Sequence, residues 1–273
     1  DWSSDVCSSD LFEKVNVGGK KLDAFELVTA IYAADKFDLR EDWSGSKSPL
    51  SPGRLARMIG SPNRRDVLTE IASTDFLQAC TLLHTRELRL AKIAQGFKDK
   101  DVPQISCKRD ALLALPKDAY LKHAGAVEAG FIEAAGFLNE LKIIWHKDVP
   151  YPPLIIGLAS VFAILGKQAQ SAKTKSMLAQ WFWSVTLGEL YGSSTESRLA
   201  RDVPELVAED VVVLAPVVGQ LDHGVRRLGP VPDERERELA VRVVLLAEEL
   251  HAAHLHVELQ RRVEVLDPEH GVE

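Results

Sequence analysis

Apolar residues recur at three- and four-residue steps through most of the chain between Phe12 and Val207, the period of helices that bury one face. The clearest run is LDAFELVTAIYAAD. Leu22, Phe25, Val28 and Tyr32 share a face there, and Asp23 stands three residues before Glu26, the spacing of a reciprocal N-terminal cap. A Ser-, Gly- and Pro-rich loop, Ser44 to Gly53, separates this predicted helix from two short helical patterns, RLARMIG and RRDVLTEIA. Ser73 or Thr74 is then expected to cap a longer helix whose inward face carries Phe76, Leu77, Cys80, Leu83, Leu88 and Ile93.

Pro116 to Trp145 reads as one long helix opened by proline, with Tyr120, Val127, Phe131, Ala134, Phe137, Leu138 and Leu141 on its packing side. Gly125, Gly130 and Gly136 interrupt it and mark either close helix packing or a break. Pro150, Pro152 and Pro153 end that element and open LIIGLASVFAIL, Leu154 to Leu165, which at twelve residues is too short for a bilayer and predicts a buried helix. Met177 to Tyr191 forms another, with Trp181, Trp183, Leu187 and Leu190 as core candidates and Gly192 as its C-cap. Core packing accounts for Trp181 and Trp183 better than a base-stacking platform, because they cannot face one way with Phe182 between them. Ser193 and Glu196 have capping-box spacing for a last helix in SSTESRLARDVPELVA. FEKVNV is the one plausible strand. The fold class that follows is mainly α, a multi-helix bundle with at most a remnant strand near residues 12–17.

Composition changes this picture at both ends. The 273 residues hold 33 basic and 40 acidic side chains, three Cys and 46% apolar residues, which excludes disordered, collagen-like and disulfide-built classes. The net charge of −7 argues against a nucleic-acid partner only until it is located. Residues 201–273 contain eight Arg, no Lys, five Asp and eleven Glu, a net −8, which leaves residues 1–200 at +1. Lys175 is the last lysine and Tyr191 the last aromatic, while five of the eight histidines follow them.

Residues 208–273 are therefore expected to be an unrelated or out-of-frame acidic tail, with a genuine acidic helical hairpin over Asp233 to Val265 as the alternative. His251, His254 and His256 in this tail suggest a metal site, yet the surrounding pattern matches the out-of-frame reading better. Residues 1–11, DWSSDVCSSDL, have neither a basic n-region nor an apolar h-region. They resemble the translation of a sequencing-library adapter and are expected to be an artefact. Without their three aspartates, residues 12–200 stand at +4. Cys80 and Cys107, with no histidine pair at ligand spacing beside them, suit reduced thiols in a cytoplasmic protein and predict no metal.

The most informative string is FEKVNVGGKKLDAFEL. A strand ending at Asn16, two glycines that let the backbone approach an anion, and a capped helix make Asn16, Gly18, Gly19 and Lys20 a candidate phosphate-binding set, with a plain turn as the alternative. Lys108 and Arg109, at a helix start after Ser106, are candidates for DNA phosphate contact or for a solvated basic turn. Glu189, Tyr191, Glu196 and Arg198 form a polar cluster across a helix junction, which could line a pocket or be a salt-bridged cap, with Arg198 and Asp202 at pairing distance of four residues.

This string resembles F-x-x-x-N-x-G-G-x-x-L-x-x-x-E-L of the GmrSD-type restriction endonuclease family, in the helical part that follows a ParB-like nucleotide-binding fold. STDFLQACTLLHT, QISCKRDALLAL, KDVPYPPLIIGLASVFA and WFWSVTLGELYGSSTESRLARDVPELV are similar to successive blocks of that family, in the same order. The resemblance covers most of residues 12–207. It implies an anti-phage protein that acts on DNA and binds an NTP through an upstream segment; no membrane partner is expected, since the longest apolar run is too short for a bilayer. The family's Asp-Gly-Gln-Gln-Arg and His-Asn-His motifs are not in this sequence. The expected role is therefore a fragment of such a protein without its catalytic segments; the alternative is a non-catalytic helical scaffold or regulatory module that binds protein.

Overall fold

The computed structural model describes residues 22–46, 51–60 and 66–208. The expectations for residues 1–11, for the strand near 12–17 and for 209–273 lie outside the described residues. What is described is mainly α. In chain order the helices are α1 (Ala24–Ala34), α2 (Leu39–Ser44), α3 (Arg54–Ile59), α4 (Ser73–Ala94), α5 (Arg109–Leu113), α6 (Lys117–Glu140), α7 (Pro153–Leu165), α8 (Ala172–Leu187) and α9 (Thr195–Leu206). The chain divides into two units. The first holds the described residues up to Ser171 and those from Tyr191 to Ala208; the second holds Ala172–Leu190.

Local chemistry sets the helix starts. Asp23 Oδ1 accepts from the Glu26 N–H at 2.7 Å and Glu26 Oε2 accepts from the Asp23 N–H at 3.0 Å, so α1 has the reciprocal cap its sequence predicts. The unpredicted helix α2 is capped in the same style, by Asp38 Oδ1 on the Glu41 N–H at 2.9 Å. At α4 the expected caps, Ser73 and Thr74, are already inside the helix, and the Asp75 carboxylate reaches back to the Ala72 N–H at 2.9 Å instead. Ser194, in the left-handed region at φ 53°, precedes α9 and makes no side-chain cap, so the Ser193–Glu196 box does not form. Of RRDVLTEIA, the described residues from Asp66 on form a single 3-10 turn, Asp66–Leu68.

In the first unit α6 is the axis, and α7 packs on it most extensively. Tyr120, Val127, Phe131, Ala134, Phe137 and Leu138 are buried as predicted. The helix ends at Glu140, short of Trp145, which is 49% exposed. Gly130 explains the contact with α7. A Cβ on it would run into the Ala159 carbonyl oxygen and sit 3.1 Å from Ala163 Cβ, whereas one on Gly125 would meet nothing within 4 Å. A ladder of rings crosses the unit: Trp43 to Phe76 at 5.5 Å, Phe76 to Phe131 at 5.9 Å and stacked, and Tyr120 to Tyr32 at 5.9 Å. Tyr32 Oη also donates to the Leu115 carbonyl at 2.9 Å, which ties α1 to the turn after α5.

Two apolar expectations need correction. The second half of α4 leaves the core, with Leu88, Ile93 and the neighbouring Leu90 and Phe97 all more than 40% exposed. Helical structure after Pro153 runs on through a 3-10 turn to Gln170, an 18-residue stretch with the length and composition of a bilayer span, yet 56% of it is buried, as in the core helix of a folded unit. In the second unit α8 buries Trp181 and Phe182 while Trp183 is half-buried and Leu187 is 39% exposed. It ends at Leu187, before the predicted Gly192.

Two measurements follow. Gly130→Ala should lower stability by about 1–3 kcal/mol through overpacking, and Gly125→Ala should raise it by up to about 1 kcal/mol through helix propensity, both read in urea melts. Burial pushes the Asp75 carboxyl up. A carboxyl raised in the fold costs stability when ionised, and that cost disappears as pH falls through the folded pKa toward the unfolded one. The stability of the wild type relative to Asp75→Asn should therefore rise between pH 7 and about 4; a difference that stays flat would exclude this role for the carboxyl.

Candidate functional site

Asn16, Gly18, Gly19 and Lys20 lie outside the described residues, although the helix they lead into, α1, is firmly capped and anchored. Lys108 is the exposed N-cap of α5, and Arg109, half-buried, is its first residue. The loop before them is fastened to α4. Thr85 Oγ1 accepts from the Ser106 N–H at 3.2 Å, and Arg89 Nη1 donates to the Pro103 carbonyl at 3.2 Å. Cys107 Sγ donates to the Glu196 carbonyl at 3.6 Å, so two groups of candidates, Lys108–Arg109 and Glu196, meet through a cysteine.

Within the predicted polar cluster, Tyr191 is buried and its Oη donates to Asp202 Oδ2 at 3.0 Å. Arg201 Nε lies 3.3 Å from the other Asp202 oxygen. Desolvation and then the Asp202 charge push the Tyr191 phenol far above its ordinary value, so it stays a neutral donor. Arg198 is half-buried on α9, and Glu189 belongs to the second unit. The Tyr191–Asp202 pair is a closed, internally satisfied joint. Cys80 and Cys107 are free and buried; burial raises both thiols, Cys107 to about 12, so both are poor nucleophiles.

A second polar group has no counterpart in the sequence reading. Arg54 on α3 donates from Nε to Asp42 Oδ2 at 2.6 Å and from Nη1 to Glu128 Oε2 at 2.8 Å. Arg57 donates to both Glu128 oxygens, at 2.7 and 2.8 Å, and Tyr120 Oη donates to Asp42 Oδ2 at 2.5 Å. The Arg54 guanidinium also lies over the Phe76 and Tyr120 rings, at 5.8 and 5.9 Å. Two guanidiniums face two carboxylates, so charge is balanced and donors are used. Beside this clamp opens a cavity of about 270 Å³, lined by Lys36, Phe37, Asp38 and Glu41 together with Asp42 and Arg57. Its acids outnumber its bases and Arg57 is already engaged, which disfavours a phosphate there.

The third group is open. His84 and Glu87 stand three residues apart on α4, and His123 faces them from α6. His123 Nε2 lies 3.1 Å from Glu87 Oε2, while Lys122 Nζ pairs with Oε1. The two imidazole rings are 6.3 Å apart. Desolvation lowers the pKa of both histidines, which keeps them neutral at neutral pH, and the Lys122 ammonium holds Glu87 below the usual carboxylate range. Among the described residues this is the set whose donors are arranged to take a cation.

No family model, no curated protein and no solved structure matches the chain.

The clamp has a direct test. Glu128→Ala leaves Arg54, only 12% exposed, with half its charge partners removed. It should destabilise the fold by about 2 kcal/mol or more, and Glu128→Gln by less, measured by thermal denaturation. Equal stability of all three proteins would show the clamp to be energetically silent.

Proposed function

We propose that residues 12–207 are the helical part of a nucleotide-dependent, DNA-targeting restriction-type protein of anti-phage defence, with the NTP chemistry and DNA cutting carried by other segments. What supports this reading is the ordered series of sequence blocks that resembles that family over most of this range. One geometric observation adds to it. Helix α1, which follows Asn16–Lys20, packs against α5, which opens with Lys108 and Arg109. The Tyr32–Leu115 hydrogen bond adds to this contact at the C-terminal ends of the two helices.

A second reading, a non-catalytic scaffold that binds protein, draws on the exposed apolar residues Leu88, Leu90, Ile93 and Phe97 where α4 leaves the core. DNA binding separates the two. On the first reading the chain binds duplex DNA with a salt-dependent affinity, and Lys108→Ala and Arg109→Ala each lower the slope of log K against log salt by about 1. In a protein carrying the upstream nucleotide-binding segment, Asn16→Ala should abolish NTP-induced thermal stabilisation, which is about 2.7 kcal/mol at a hundredfold excess over Kd. DNA affinity indifferent to both basic substitutions, together with unchanged NTP stabilisation in Asn16→Ala, would favour the scaffold.

A further inference from the structure

We propose that His84, Glu87 and His123 form a binding site for a divalent transition-metal ion of the zinc class, bridging α4 and α6. This is independent of the function proposed above. The three side chains offer two imidazole nitrogens and one carboxylate oxygen, all within 4.8 Å of one another. Donors around a tetrahedral zinc ion stand about 3.4 Å apart, given metal–ligand distances of about 2.0–2.1 Å. Small side-chain rotations therefore close the set without moving backbone. Two imidazoles with a single carboxylate select for zinc, cobalt or nickel over magnesium or calcium, which prefer oxygen shells.

The orientation of His123 is the observation that points to a cation. Its side chain is only 13% exposed, and Nε2 is buried with no hydrogen-bond partner of acceptable direction, although Glu87 Oε2 is 3.1 Å away. An imidazole nitrogen beside a carboxylate oxygen, off the hydrogen-bonding line, is stabilised by a positive centre lying between them and the third donor. A metal ion accepts the lone pairs of both imidazoles and of the carboxylate together.

Glu87 is set up to be shared. Lys122 holds Oε1 and leaves Oε2 turned toward His123, so the ammonium orients the ligating carboxylate from behind. Lys122 also repels an incoming cation, and its side chain is 59% exposed, free to lean into solvent. Glu87 is 45% exposed, so the fourth coordination position opens to water.

The test uses the whole chain, freed of metal by chelator and titrated with Zn2+ by calorimetry and with Co2+ by visible absorption. His251→Ala/His254→Ala/His256→Ala serves as the control for the other histidine-rich stretch. The expected result is one ion bound in the wild type and in that control, with affinity at least about 10-fold weaker in His84→Ala and in His123→Ala. Circular dichroism checks that the variants keep their helicity. If either loses it, Zn2+-induced shifts of the His84 and His123 imidazole resonances in the wild type decide the matter. No Zn2+ binding, or binding lost only in the triple control, or imidazole resonances of His84 and His123 unmoved at saturating Zn2+, would overturn the assignment.

Discussion

The distance between α6 and α7 is set by one missing methyl group. At Gly130 the backbone of α6 rests on the Ala159 carbonyl of α7, and the small side chain of Ala163 fills the next position. This approach lets Phe137 meet Phe162 at 5.8 Å and lets Leu154, Ile155 and Leu158 of α7 bury completely. Because α6 is thereby fixed, each polar group along it has a fixed partner elsewhere: Tyr120 with Asp42, Lys122 and His123 with Glu87, Glu128 with Arg54 and Arg57. A shift of α6 to accommodate a side chain at position 130 would disturb all three at once.

Much of this fold was legible from period and punctuation. The Asp23–Glu26 box, the long helix after Pro116 and the buried helix after Pro153 came directly from spacing, because capping and burial of an apolar stripe act over three or four residues. Errors appeared where the deciding force was not local. LREDWS has no long apolar stripe, yet Asp38 caps it and Trp43 buries against Phe76, so tertiary contact makes a helix that pattern alone does not announce. Leu88 and Ile93 continue the inward face of α4 in register, but among the described residues nothing covers them, and they end exposed. Periodicity reports that a helix is amphipathic; it does not report how far its partner extends.

The sites were less legible, for the same reason made stronger. The Arg54–Asp42–Glu128 clamp joins residues 12 and 74 positions apart, and His123 lies 36 or more residues from His84 and Glu87. One local trace existed: His84 and Glu87 at i,i+3 spacing put an imidazole and a carboxylate on one helix face. The cysteines do not point to the group, because both sit in the core as neutral thiols and take no part. Tyr191 belongs to the predicted polar cluster, while its buried hydrogen bond to Asp202 depends on how α9 folds back on it.

The three polar groups differ in how completely they are satisfied, and that difference separates structure from chemistry. In the clamp, two guanidiniums meet two carboxylates and the Tyr120 hydroxyl, so a ligand would have to displace a bond for each one it made. In the Tyr191 joint, the phenol is driven further from ionisation by the same burial that makes Asp202 depend on it. Only the His84–Glu87–His123 group combines neutral donors, a carboxylate held from one side, a buried nitrogen with no well-directed hydrogen bond and a face open to water. A buried polar atom left unpaired costs on the order of 1–3 kcal/mol, and a folded chain tolerates that where something else can supply the missing partner. On that reasoning the least satisfied of the three groups is the one with unused binding capacity, and the clamp, through Glu128 and Tyr120, fixes the α6 that presents it.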